Sequence, residues 1–185
     1  VSAAPGPDAL ASRLKALVMD ADGVRRSLSR IAHEIVERNR GTDGLVLVGV
    51  ISNGDVLARR LAAKLTDLEG VQVPVGVVDA SGHRDDGLPP RPGRSSTVPD
   101  VADRTVVLVD DVIHHGRTAR AAMEALMQFG RPRVIQLAVL VDRGHRQLPI
   151  RPDYVGKNVP TSESERVEVC LREADGMDAV VIVAR

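Results

Sequence analysis

Aromatic rings are nearly missing from this chain of 185 residues, which has one phenylalanine, Phe129, one tyrosine, Tyr154, and no tryptophan. Proteins that hold single-stranded nucleic acid without sequence preference stack bases on aromatic side chains, so that mode is disfavoured. Cysteine is scarce too. A lone Cys170 rules out an internal disulfide and suits a reducing compartment, so a cytoplasmic location is expected. Excess charge of either sign is missing, with 25 Lys+Arg against 25 Asp+Glu. No overall field then draws nucleic acid, and any such binding must come from a local patch. No apolar run reaches the roughly 18 residues of a membrane span, so none is expected. The start, VSAAPGPDALASR, lacks the basic-then-apolar order of a secretion signal. Residues 1–22 are expected to be a mobile arm and the start of the domain, and residues 23–185 a single domain whose length allows a real core.

What is present is alternation. Leu45–Ile51, Val73–Val78, Thr105–Asp110 and Val134–Val141 are short, β-branched and nearly all apolar, as strands buried on both faces are. Between them lie helical patterns over Gly23–Asn39, Asp55–Leu68 and Arg117–Phe129. Strands alternating with helices predict an open α/β sheet, mostly parallel, with helices on its faces. The polar, Pro- and Gly-rich stretch DASGHRDDGLPPRPGRSSTVPDVADR is too long for a plain connection and reads as a functional, flexible loop. A basic, irregular stretch follows Val141, and then ERVEVCL and AVVIVA as two last strand candidates.

The stretch TVVLVDDVIHHGRTARAAMEAL joins an apolar strand to a helix through two aspartates and a glycine. In such sheets ligands bind beyond the C-terminal strand ends. Backbone N–H groups of His114, His115, Gly116, Arg117 and Thr118 leading into the helix form an anion site, and Gly116 lets a phosphate approach closely. Asp110 and Asp111 can accept hydrogen bonds from sugar hydroxyls. A phosphate site beside a diol site describes a phosphorylated ribose. The plain alternative is a strand–turn–helix with a solvated acidic end. A two-component receiver carries its acidic pair after its first strand, whereas several strands precede this one. Neither a P-loop nor a dinucleotide fingerprint occurs in a suitable context.

This stretch resembles the signature of type I phosphoribosyltransferases. The blocks QLAVLVDRGHRQLPIRPDYVGKNVPTSESERVEV and RRSLSRIAHEIVERNRG are similar to the PyrR family of pyrimidine-operon attenuators and uracil phosphoribosyltransferases, over about Val24 to Val183. The resemblance implies a type I phosphoribosyltransferase fold with a small hood. It implies sensing of UMP or other uridine nucleotides and binding of the pyrimidine-gene leader mRNA. The implied reaction takes uracil and phosphoribosyl pyrophosphate (PRPP) to UMP and diphosphate. Mg²⁺ would come with PRPP rather than sit in a protein cage. The histidine pair 114–115 lacks a zinc-ligand spacing, and no protein-held metal is expected. A homodimer or higher homo-oligomer is expected.

In GVRRSLSRIAHEIVERN, Val24, Leu28, Ile31 and Ile35 form one apolar stripe, and Arg26, Ser29, Arg30, His33 and Glu37 lie opposite. That face is either solvated or an RNA surface. The resemblance carries Ser29, Arg30, His33 and Arg38 into the RNA motif. A second cluster, Arg143, His145, Arg146, Arg151 and Lys157, is either neutralised by Asp142 and Asp153 or holds phosphates. By resemblance His145, Arg146, Arg151 and Lys157 belong to the RNA surface.

The departures bear on catalysis. The family's usual T-R-G after the first strand is Ser52-Asn53-Gly54 here, so one cationic pyrophosphate contact is replaced by a neutral amide. Backbone N–H groups at Gly54 compensate in part. His115 stands where a threonine hydroxyl would meet the 5′-phosphate. Arg84, in an R-D-D string of the long loop, is placed to close over the pyrophosphate. Weak uracil phosphoribosyltransferase activity beside RNA regulation is the leading expectation. A salvage enzyme without RNA binding, or a nucleotide sensor with catalysis lost, are the alternatives.

Overall fold

The computed structural model describes residues 13–86 and 92–184. Five strands form the main sheet: β2 (Leu45–Val50), β3 (Val75–Val78), β4 (Thr105–Ile113), β5 (Val134–Asp142) and β6 (Tyr154–Asn158). Their order is β3-β2-β4-β5-β6, and every pairing is parallel. Helices α1 (Ala21–Asn39) and α2 (Gly54–Glu69) cover one face, and α3 (Arg117–Leu126) covers the other. A second, antiparallel sheet of β1 (Leu14–Met19), β8 (Ala179–Ala184) and β7 (Glu165–Cys170), with the short α4 (Arg172–Asp175), makes the hood.

The core strands were visible as apolar runs because both of their faces are covered. β2 is buried at all six positions. The predicted stripe of α1 is buried as well, Val24, Leu28, Ile31 and Ile35 each being 2% exposed or less. Burying such a side chain stabilises the fold by about 1.5–3 kcal/mol. Asp20 caps α1 by accepting from the Gly23 N–H at 2.7 Å, and Arg40 ends it in a left-handed conformation.

Several boundaries differ from the sequence expectation. β4 runs three residues past Asp110, because Val112 and Ile113 continue to pair with Val141 and Asp142. The acid pair therefore sits inside the strand rather than at its end. α3 stops at Leu126 and tightens into a 3₁₀ turn over Met127–Phe129. Of the segment 1–22, Leu14–Met19 is a strand paired with β8, and residues 1–12 lie outside the described residues. Tyr154–Asn158, expected inside an irregular stretch, is the edge strand β6. In the long loop, residues 87–91 lie outside the described residues, while the returning limb pairs Thr97 with Val77 and covers the free edge of β3. Among the described residues, no helix is long and apolar enough to cross a membrane.

One buried polar network ties α1 to the sheet. The Asn39 amide donates to Gln136 Oε1 at 3.1 Å and to the Tyr154 hydroxyl at 3.2 Å, and Tyr154 donates to Gln136 Oε1 at 2.8 Å. Gln136 Nε2 returns a bond to Asn39 Oδ1 at 2.9 Å. Removing one partner leaves the others buried without their bonds. Gln136→Leu is therefore expected to lower stability by about 1–3 kcal/mol with an unchanged urea m-value. A loss of under about 0.5 kcal/mol, the size of a neutral surface change, would contradict that.

Candidate active site

Two tight turns build the site at the C-terminal end of the parallel sheet. The first joins β2 to α2, and two glycines set its position. A Cβ on Gly49 would come within 2.4 Å of the Asp55 Cα, and one on Gly54 within 2.3 Å of the Val109 carbonyl oxygen. Both distances are impossible for real atoms, so the start of α2 rests directly on β4 beside Asp110. In this turn the Ile51–Ser52 peptide is cis and Asn53 has φ +71°. Asn53 occupies the N-cap position but does not cap the helix. Its amide instead donates to Asp111 Oδ2 at 2.9 Å and to the Val169 carbonyl of β7 at 3.1 Å. The first-turn N–H groups of α2 thus have no side-chain cap and face the open turn. Ser52 is exposed beside them.

The second turn joins β4 to α3. Gly116 sits at φ +91°, a left-handed conformation that glycine adopts without strain, and it opens α3 at Arg117. Asp110, Arg84 and the loop His114–Thr118 line one cleft of about 240 Å³. The structure therefore brings together the acid, the phosphate loop and the arginine of the R-D-D string. Thr118 is exposed at its rim. The arginines of the cleft carry partners that the sequence did not reveal. Arg84 pairs with Asp86, and Arg117 pairs with Asp85 and donates to Gln147 at 3.0 Å. Arg117 therefore offers the cleft its backbone N–H while its guanidinium is engaged by Asp85 and Gln147.

The electrostatics of the acid pair follow from burial. Asp110 is 7% exposed, and burial pushes its carboxyl well above the usual carboxylate range, with the charge of Asp111 adding to the effect. Burial raises Asp111 as well, and the hydrogen bond from Asn53 opposes that rise. The Asp111 and Val112 N–H groups donate to Asp110 and Asp111 at 3.0 and 2.7 Å. Among the described residues, no group of three or more His, Cys, Asp or Glu is arranged to hold a metal ion.

The basic residues fall into two settings. On α1, Arg30 reaches β6, donating to the carbonyls of Val155 at 3.1 Å and Gly156 at 2.5 Å, and also pairs with Glu34. Arg38 pairs with Asp153 at 2.8 Å and lies over the Tyr154 ring. Lys157 donates to the Val18 carbonyl at 2.9 Å and lines a groove with Arg26 and Arg30. Ser29 accepts from Lys64 at 2.9 Å, and the exposed His33 bonds the Ser29 carbonyl through Nδ1 at 2.7 Å. The α1 face and the β6 end of the second cluster thus adjoin. The other end lies against the phosphate loop. Arg146 pairs with Asp142 at 2.6 Å and donates to the carbonyls of His114 and Ile150 at 2.8 Å each. His145 bonds the Thr161 carbonyl at 2.6 Å, and Arg151 is exposed. Arg143 is buried, donating to Thr161 and to the Glu165 carbonyl. Asp142 and Asp153, expected as neutralising acids, do take cationic partners, Arg146 and Arg38, and Arg30 with Glu34 is a local helical pair.

Residues 20–173 match the model of the phosphoribosyl transferase domain. The chain belongs to that family. It is 59% identical to the bifunctional protein PyrR of Pelotomaculum thermopropionicum over 176 residues, 93% of this chain and 97% of that one. It is 55% identical to the bifunctional protein PyrR of Thermus thermophilus over 178 residues, 94% of this chain and 98% of that one. Within the phosphoribosyltransferases, both of these relatives are PyrR proteins. A hypoxanthine-guanine phosphoribosyltransferase from Bacillus anthracis superposes with a TM-score of 0.68 at 18% identity, covering 92% of this chain and 99% of that one, which establishes the shared fold.

The acid pair yields a prediction with a pH sign. A carboxyl whose pKa is raised by folding costs stability when ionised, so the cost is absent well below its ordinary value and grows as pH rises through the raised one. Asp110→Asn removes that charge and keeps the oxygen that accepts from Asp111. The substitution is expected to raise Tm, by about 2–4 °C for each kcal/mol gained, and by more at pH 8 than at pH 5. A Tm that falls at both pH values would contradict the assignment of the strain to buried charge.

Proposed function

We propose that this protein is a uridine-nucleotide-responsive regulator that binds the leader of pyrimidine-gene mRNA and controls transcription by attenuation. The same chain converts uracil and PRPP to UMP and diphosphate at a low rate. It works in the cytoplasm as a homodimer or higher homo-oligomer. The observation that carries the reading is the single cleft holding Asp110, Arg84 and the His114–Thr118 loop, in a chain whose relatives are bifunctional PyrR proteins.

The roles follow from the chemistry of the groups. Asp110 and Asp111 accept from the ribose hydroxyls. The N–H groups from His115 to Thr118 hold the 5′-phosphate where the start of α3 favours an anion. The uncapped N–H groups of α2 behind Gly54 hold the pyrophosphate, and Arg84 covers it. Transfer passes through an oxocarbenium-like ribose, so positioning and charge stabilisation do most of the catalytic work. Two buried carboxylates that both favour protons are short of positive charge, and as oxygen donors they fit Mg²⁺ arriving with PRPP. When bound, Mg²⁺ neutralises charge on the pyrophosphate leaving group. The low rate is supported by Asn53, a neutral side chain turned toward Asp111 and Val169 rather than toward the pyrophosphate turn. The same observation favours a second reading, a nucleotide sensor that has lost catalysis.

RNA binding is supported by the junction of α1 and β6, where Arg30 joins the helix face to the strand carrying Lys157. Gel-shift titrations of the leader RNA at two salt concentrations test it. RNA binding is expected to tighten with UMP. His33→Ala, Arg151→Ala and Lys157→Ala should weaken it without changing UMP affinity, with loss of about one unit of salt slope for Arg151 or Lys157. Arg146→Ala should weaken both ligands, because its guanidinium also holds the His114 carbonyl. Equal RNA affinity for wild type and all four variants would leave a salvage enzyme as the better account.

A further inference from the structure

The phosphate loop contains a cluster that the function above does not use. His114 and His115 are stacked, with ring centroids 3.7 Å apart, and His145 meets His114 edge-on at 5.8 Å. His114 and His115 both line the cleft. The charged groups packed around them are already matched. From the loop after β3 comes Arg84, paired with Asp86; from the start of α3, Arg117, paired with Asp85; from the loop after β5, Arg146, paired with Asp142. β4 contributes an acid, Asp110.

A phosphate monoester brings a charge of about −1.5 to −2 at pH 7. The backbone N–H groups at a helix start answer with about half a positive charge. The guanidinium groups offer little net charge while their carboxylates stay in place. Imidazole is the one side chain in the cleft whose ordinary pKa, about 6.5, lets it gain a charge near neutral pH as a dianion arrives. Two rings stacked this closely repel when both are charged, so the pair favours one proton over two.

We propose that the nucleotide's 5′-phosphate is held by one protonated imidazole of the His114–His115 pair, so that binding takes up a proton from solvent. This rests on the phosphoribosyltransferase reading of the cleft. His115, next to the Gly116 turn, is the principal carrier. The proton passes from water or buffer to a ring nitrogen, and no bond to phosphorus forms or breaks. For the dianionic nucleotide, affinity is then greatest at low pH, where the free imidazole is already protonated. It falls as pH rises toward the higher value in the complex, by up to about tenfold per pH unit for one proton.

Calorimetric titration of the full chain with UMP at pH 7.5, in two buffers of different ionisation enthalpy, counts the protons. The phosphate of UMP, whose second pKa is about 6, is almost entirely dianionic there and adds little to the count. The expected result is a net uptake of up to about one proton per site. His115→Gln, which keeps a hydrogen-bond donor, should still bind UMP but lose most of the uptake and the pH slope. UMP binding with no net uptake overturns the inference and leaves the cleft's assignment standing. Uptake that persists undiminished in both His114→Gln and His115→Gln overturns it too, since the proton then lands elsewhere. Failure to bind UMP in either buffer overturns the nucleotide reading itself, and the inference with it.

Discussion

The close seat of α2 on the parallel sheet governs this molecule. Gly49 and Gly54 leave no room for a side chain between the helix start, β2 and the Val109 carbonyl. That contact fixes the Ile51–Gly54 turn directly above the acid pair. It also lets one side chain, Asn53, reach both Asp111 on β4 and the Val169 carbonyl on the hood. Were the helix a side chain's width further away, the turn, the acids and the hood would no longer share a site. Arg60 reinforces the arrangement from further along α2, pairing with Glu173 and Asp178 of the hood, and its hydrogen bond holds the Glu173 carboxyl below its ordinary range.

The cleft at the His114–Thr118 loop and the basic surface are physically continuous. The Gln147 and Leu148 N–H groups both donate to the His115 carbonyl, and Arg146 donates to that of His114. The same chain then passes through Pro149, Ile150 and Arg151 into β6, where Arg30 of α1 bonds the Val155 and Gly156 carbonyls. A ligand that repositions the phosphate loop therefore pulls on the connection that presents Arg151 and Lys157. This is a contiguous route made of hydrogen bonds and one short stretch of chain, the kind of element through which an effector site can bias a remote surface. With zero net charge overall, the cations of α1 and Lys157 of β6 form a local basic surface, although Arg30 and Arg38 each carry a carboxylate partner there.

Legibility in the sequence followed burial and locality. β2, β4 and β5 are apolar at nearly every position because both faces are covered, and α1 shows its stripe because only one is. Gly116 and the acid pair were legible because turn chemistry and charge interrupting an apolar run are local, although the strand continues past the acids to Ile113. β1 was not, since four of its six residues are exposed and its pairing partner lies at the far end of the chain. β6 was hidden by the flanking prolines and by having only two buried residues. The carboxylate partner of Arg117, and the inward turn of Asn53, depend on contacts between distant segments, which no spacing in the sequence encodes.

The central claim is that Asp110, which lines the cleft, and Asp111 beside it on β4 hold the ribose of PRPP where UMP is made. The direct measurement is formation of UMP from uracil and PRPP with Mg²⁺ present, for the wild type and for the Asp110→Asn/Asp111→Asn double variant. UMP is expected from the wild type at a slow rate and from the double variant at background, with the variant still folded by circular dichroism. Equal UMP formation by the two proteins would contradict the account, and so would no UMP from a wild type that nonetheless binds PRPP.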